Sequence, residues 1–239
     1  MLFLLFISSL LANPILLHEP KKTKGTIVIL EAPDWSHQHY AALIEQLKKN
    51  KLTLWSFQTA HFKSSEEIRQ ALLELNPLLK QQPSAIVAHG FSGTILAPLL
   101  LSSDLSPQAL VLIGTPLYPH CSRATIDALS TTQNDFLAEI DLIYGSSSSI
   151  PLHPQVSEDL LTWCHSQESY ALHSLTHPTL GFGSALDAVA PPETMRLALA
   201  DNYVRIGPLS LLQEEPLHYE LIAHPAMLLL ISRWLKKEL

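Results

Sequence analysis

The chain is short of charge. Of its 239 residues, 15% are Asp, Glu, Lys or Arg, where soluble proteins carry about a quarter. The 15 basic and 22 acidic groups leave a formal charge of −7. A chain so lightly charged and 47% hydrophobic falls outside the disordered class, and its net acidity excludes the basic footprint that grips nucleic-acid phosphates. Cysteine is scarce too. Cys121 and Cys164 define no disulfide framework, form one bridge or none, and lie outside any C-x-x-C pair that would suggest zinc or redox chemistry. With 8 glycines against 17 prolines, collagen-like and low-complexity classes are excluded and each glycine becomes a position worth locating. No glycine-rich phosphate loop or dinucleotide fingerprint occurs, so no cofactor is expected.

Histidine, by contrast, is plentiful. His37 and His39 lie near a helix start, and His173 and His177 have the i, i+4 spacing that can put two ligands on one helical face. No nearby Glu or third ligand completes a metal motif, and Pro178 ends the second segment at once. These imidazoles read as helix-terminal groups, and no metal is expected. Trp35, Trp55, Trp163 and Trp234 are scattered and read as core or pocket lining.

Met1 to Ala12 is a continuous apolar stretch broken by Ser8 and Ser9 and followed by Asn13-Pro14. It is too short to span a bilayer comfortably and resembles a cleaved signal peptide, hence an exported protein. Lys21, Lys22 and Lys24 follow the run where a signal peptide would have basic residues before it. The alternative is a cytoplasmic protein with an apolar arm packed on its domain. Membrane association is expected only through residues 1–17, if they are uncleaved.

From residue 25 onward, short β-type runs alternate with helical stretches. Thr26 to Leu30, Leu52 to Phe57, Ala85 to His89, Ala109 to Gly114, Pro178 to Gly183 and Tyr203 to Leu212 read as strands. Most are apolar throughout, as in strands covered on both faces. His37 to Asn50, Ser65 to Gln82, Phe91 to Ser103, Pro192 to Ala200 and Leu221 to Leu239 carry helical spacing, and Ser64 with Glu67 supplies a capping box. Strict alternation predicts an α/β domain over 25–239 with a doubly wound, mostly parallel sheet. Residues 1–24 read as an N-terminal segment and linker. Residues 118–177 break the alternation and read as a helical cap over the carboxyl ends of the strands, where open α/β sheets bind ligands.

Three landmarks then stand in order. The strand ending Ala88-His89 runs into Gly90-Phe91-Ser92-Gly93, a strand-to-helix elbow with small residues at positions 88, 92 and 93. Thr179 to Asp187 reads as a strand ending near an acid, with Pro191-Pro192 beyond it, and His218 stands ahead of Pro225 and an amphipathic closing helix. In this order the landmarks resemble the α/β-hydrolase family, whose nucleophile sits on the elbow, followed in the chain by the acid and the histidine. The resemblance implies a catalytic pair of Asp187 and His218. It places Gly90, which has no side chain, at the nucleophile position, and His89 before it as a packing residue. It also implies a ligand site lined by Gly90, Phe91, Pro33, Asp34 and Trp35.

Acyl transfer on such an elbow needs an oxygen or sulfur made nucleophilic by a histidine. Reading Gly90-Phe91-Ser92-Gly93-Thr94 as a shifted G-x-S-x-G would make Ser92 the nucleophile. Helical residues advance by about 100° each, however, which sets Ser92 roughly opposite the tip. Pro33, lacking an N–H, cannot donate to an oxyanion, and Glu31 would bring negative charge toward one. The functional expectation is therefore a hydrolase-like protein without its nucleophile, a binding or regulatory protein for a small apolar or ester-like ligand or a protein partner. The alternative is a hydrolase of a small ester, thioester or amide that uses Ser92, or a water activated by His218 and Asp187.

Overall fold

The structure, a computed structural model, describes residues 14–32, 37–59, 62–116, 177–187, 190, 192–208, 216 and 220–239. The expected cap lies outside the described residues apart from His177, as do Met1 to Ala12, Cys121 and Cys164.

The described strands form one seven-stranded sheet in the order β1-β3-β2-β4-β5-β6-β7. They are β1 (Ile15–His18), β2 (Thr26–Leu30), β3 (Thr53–Phe57), β4 (Ser84–His89), β5 (Ala109–Ile113), β6 (Thr179–Gly183) and β7 (Tyr203–Arg205). Pairings from β3 across to β7 are parallel, and β1 alone is antiparallel. Every residue of β2, β4 and β5 is buried, which explains why these strands read as unbroken apolar runs. The main helices are α1 (Ala41–Lys48), α2 (Ser65–Leu73), α3 (Asn76–Lys80), α4 (Phe91–Leu101), α5 (Pro192–Leu199) and α6 (Pro225–Glu238). Helix α1 packs with α6 and α2 with α4.

The strand register separates the two faces. Leu30, Ala88, Leu112 and Gly181 are aligned across neighbouring strands and share one face. A Cβ on Gly181 would lie 2.2 Å from Leu199 Cδ1 and 2.9 Å from Met195 Cε, so α5 covers that face. His89 points the other way, to Tyr40, which ends the 3-10 turn (His37–Tyr40) leading into α1. Helices therefore cover both faces of the sheet.

Several boundaries differ from the sequence expectation; the helix expected over Leu221 to Leu239, for one, is a 3-10 turn (Leu221–Ala223) followed by α6 from Pro225. Ile15–His18, expected within the N-terminal segment and linker, pairs with β3 as an edge strand. It is only four residues long, Ile-Leu-Leu-His, and follows directly on the apolar N-terminal run, so that its own pattern does not set it apart. The helix expected over Ser65 to Gln82 is two helices, because Pro77 sits in the first turn of α3 and has no N–H to continue the ladder from α2. The last strand ends at Arg205 rather than Leu212, and residues 206–208 are not strand.

Helix α4 approaches the sheet edge closely at Gly93. A Cβ there would lie 2.4 Å from Thr115 Oγ1 and 2.8 Å from its Cγ2, closer than real contacts allow. Gly93→Ala should therefore destabilise the protein by about 1–3 kcal/mol in urea unfolding. Thr115→Ala, which deletes both atoms, should restore part of that loss in the double variant.

Candidate active site

Because β2, β4, β5 and β6 run parallel, their carboxyl ends share one edge of the sheet. That edge gathers Glu31 and Ala32, Gly90, Thr115, and Asp187. Gly90 makes the turn from β4 into α4 with φ 58° and ψ −137°, a region that only glycine occupies without strain. Its N–H still donates to Ile113 of β5 (2.9 Å), so the sheet ladder runs into the turn itself. The sharp strand-to-helix elbow expected at this point is present, with glycine at its tip.

Ser92, the alternative nucleophile, is buried (1% exposed), and its hydroxyl donates to the carbonyl oxygen of Glu31. Thr59 Oγ1 donates to the same carbonyl (3.2 Å). Phe91 is buried as the first residue of α4; its N–H belongs to the first helical turn, which has no intrahelical acceptor.

Asp187 lies beyond β6 and is 3% exposed. Its Oδ1 accepts the Ala190 N–H (2.8 Å), and its own N–H donates to the Ser184 carbonyl (3.2 Å). The structure thus brings Asp187, Gly90 and Ser92 to one edge of the sheet. His218, Pro33, Asp34 and Trp35 lie outside the described residues. Among the described residues, no three His, Cys, Asp or Glu side chains gather as a metal-ligand set, and no helix is long and apolar enough to cross a membrane.

Glu31 departs from the sequence expectation. Its carboxyl is fully buried and receives the Ser56 hydroxyl of β3, because Glu31 follows Leu30 and shares the face of Ile29 and Ser56. Burial pushes the carboxyl up to about 7, against the opposing pull of the Ser56 hydroxyl and the Gln58 amide. Burial thus favours the neutral acid over the carboxylate. The negative charge expected beside an oxyanion is therefore disfavoured by burial, and the carboxyl is turned toward β3.

Tyr40 and His89 are the polar pair that the sequence reading missed or took for simple packing. Tyr40 Oη accepts the Ala32 N–H (2.7 Å) and meets His89 Nδ1 (3.0 Å), with the two rings edge to face at 5.8 Å. The residue that opens the loop after β2 is thereby tied to the residue just before the elbow. No local signal links these positions, since Tyr40 and His89 lie 49 residues apart in the chain. Tyr40→Phe would leave a buried backbone N–H unpaired, at a cost of about 1–3 kcal/mol. Thermal unfolding should show that loss, and amide exchange should show faster exchange at Ala32.

No protein-family model matches the sequence, and no curated protein matches it either. Solved structures do match its backbone. A monoacylglycerol lipase from Paleococcus ferrophilus superposes with a TM-score of 0.68 at 14% identity, over 96% of this chain and 100% of that one. A bromoperoxidase from Bacillus anthracis gives 0.65 at 16% identity, over 90% and 92%. A hydrolase from Oleispira antarctica gives 0.61 at 15%, over 94% of each. With its mostly parallel sheet and flanking helices, the chain has the α/β-hydrolase fold.

Proposed function

We propose that this is a hydrolase-fold protein without an elbow nucleophile, which binds a small apolar or ester-like ligand at the carboxyl edge of its sheet. The observation that carries the reading is the elbow itself. The residue at its tip is Gly90, with φ 58°, and it offers no hydroxyl, thiol or carboxylate for covalent catalysis. The nearest hydroxyl along the chain, that of Ser92, is buried and engaged with the Glu31 carbonyl, which argues against the shifted register. On the oxyanion side, the Ala32 N–H is taken by Tyr40 and Pro33 has none to give, so Phe91 supplies the remaining backbone donor. Losing one oxyanion donor costs about 100- to 1000-fold in turnover. The absence of a nucleophile costs more.

A second reading is favoured by the burial of Asp187 beyond β6. Paired with His218, this carboxylate would hold an imidazole that activates a water above Gly90, giving hydrolysis without a covalent intermediate.

The two readings separate in one set of assays. A serine-directed phosphonate should leave the protein unlabelled, and p-nitrophenyl ester turnover should equal that of buffer with inert protein. Labelling abolished by Ser92→Ala would overturn the proposal in favour of the shifted nucleophile. Turnover abolished by His218→Ala without any labelling would favour the activated water. Gly90→Ser tests whether the tip is the one missing part. The variant should gain slight esterase activity and lose about 1–3 kcal/mol of stability, because a side chain enters a positive-φ conformation. Robust turnover at unchanged stability would show the elbow to be misread.

A further inference from the structure

We propose that the amino edge of the sheet, where it meets the outer stripe of α6, is a docking face for an anionic lipid bilayer. It lies at the end of the strands opposite the Gly90 elbow, so the inference is independent of whether that elbow carries chemistry.

The net charge of −7 hides a strong separation of charge. Residues 19–24, 45–51 and 233–238 carry nine cations, eight of them lysine, against three acids. Their local charge of +6 leaves −13 for the rest of the chain. The fold brings these segments together. Residues 19–24 lead into β2 and residues 49–52 into β3, and because the two strands are parallel, both turns share one edge. There Lys24 N–H donates to the Lys51 carbonyl (3.0 Å). Asn50 joins this edge to α6, donating to the Ser232 carbonyl (3.0 Å) and accepting the Ser232 hydroxyl (3.2 Å). Lys236 stands about one helical turn further on. The end of α6 reaches the same edge, where Gln108, before β5, donates to the Glu238 carbonyl (2.5 Å).

Most of these cations are available to a partner. Glu45 pairs with Lys48 (2.5 Å) and Glu238 with Lys237 (3.3 Å). Lys21, Lys22, Lys24, Lys49, Lys51 and Lys236 are exposed and form no ion pair among the described residues. Lys51 has φ 59°, a left-handed conformation that glycine adopts at lower cost. Lysine therefore occupies this turn against its backbone preference.

The neighbouring surface selects a bilayer over an acidic protein or a nucleic acid. Opposite its buried Met227, Ile231 and Leu235, α6 exposes Leu229 (43%) and Leu230 (39%), about one turn before Arg233, Lys236 and Lys237. Apolar side chains flanked by cations suit an interface where acyl chains lie beneath charged headgroups. Lysine ammoniums are point charges on flexible stems, and spread over three segments they match a diffuse layer of headgroups better than one carboxylate or a base edge. A flat anionic surface also meets the cationic face alone and leaves the acidic remainder turned away. This contact adds to the membrane association expected from residues 1–17.

The full chain, floated with vesicles at about 0.1 M salt, should bind phosphatidylcholine carrying about 30% phosphatidylserine at least about tenfold more tightly than phosphatidylcholine alone, and lose the preference at about 0.5 M salt. Lys49→Gln, Lys51→Gln and Lys236→Gln combined should weaken binding to the anionic vesicles by about 100-fold. Lys51→Gly should weaken it by about fivefold while unfolding at higher urea, so that its loss is not one of folding. Lys63→Gln removes the same charge from an exposed site between β3 and α2, at the other edge, and should bind as the wild type does. Equal binding to both vesicles, as residues 1–17 alone would give, would overturn the docking face. So would binding unmoved by salt, an unchanged triple variant or Lys51→Gly, an equal loss in Lys63→Gln, or a preference for poly-glutamate or duplex DNA over the anionic vesicles.

Discussion

The turn at Gly90 is the constraint on which the site depends. The chain leaves β4 as a fully paired strand, with Gly90 N–H still bonded to Ile113 of β5, and is helical one residue later. A turn that abrupt needs the positive φ found at Gly90. It also drives the start of α4 against the sheet edge, where Gly93 has no room for a Cβ beside Thr115. With the helix that close, Ser92 reaches the carbonyl of Glu31, the residue just beyond the neighbouring strand β2. One backbone conformation therefore fixes the helix start, the approach of helix to sheet, and the partner of the nearest hydroxyl.

A second web secures the same edge through buried polar groups. Tyr40 takes up the Ala32 N–H and meets His89, so Ala32 and the residue before the elbow are held by the same side chain. An orphaned buried N–H costs about as much as a typical single mutation. Glu31 is the exception within the web, with Oε2 buried and unpartnered. Its burial shifts protonation rather than breaking the structure, since a buried carboxyl can neutralise itself more cheaply than it can remain charged.

Much of this was legible in the sequence, and the reasons are local. Thr26–Leu30 is a strand with the bounds read from its apolar run, and the capping box at Ser64 has its hydroxyl on the Glu67 N–H. The elbow was legible because Gly90 follows an apolar strand and precedes small residues, a pattern confined to a few positions. What escaped was non-local. The Tyr40–His89 bond joins distant segments, and the direction of the Glu31 side chain depends on which face of β2 it occupies once Ser56 lies alongside. Ile15–His18 escaped for a different reason. Its partner, β3, supplies the evidence of strand that a four-residue apolar stretch cannot.

The parts of the edge that resemble catalytic ones each have a structural role of their own. Gly90 makes the turn, Ser92 ties α4 to β2, and Asp187 accepts the Ala190 N–H to close the turn beyond β6. Geometry that serves packing can stand without a reaction to serve. The backbone agreement with solved structures at 14–16% identity bears on packing in the same way, because the fold tolerates wholesale change of side chains as long as turns and close approaches survive. The chemistry of this edge accordingly turns on atoms rather than on fold. On the function proposed above, the decisive one is the oxygen that a serine would place above Cα of residue 90, and glycine does not provide it.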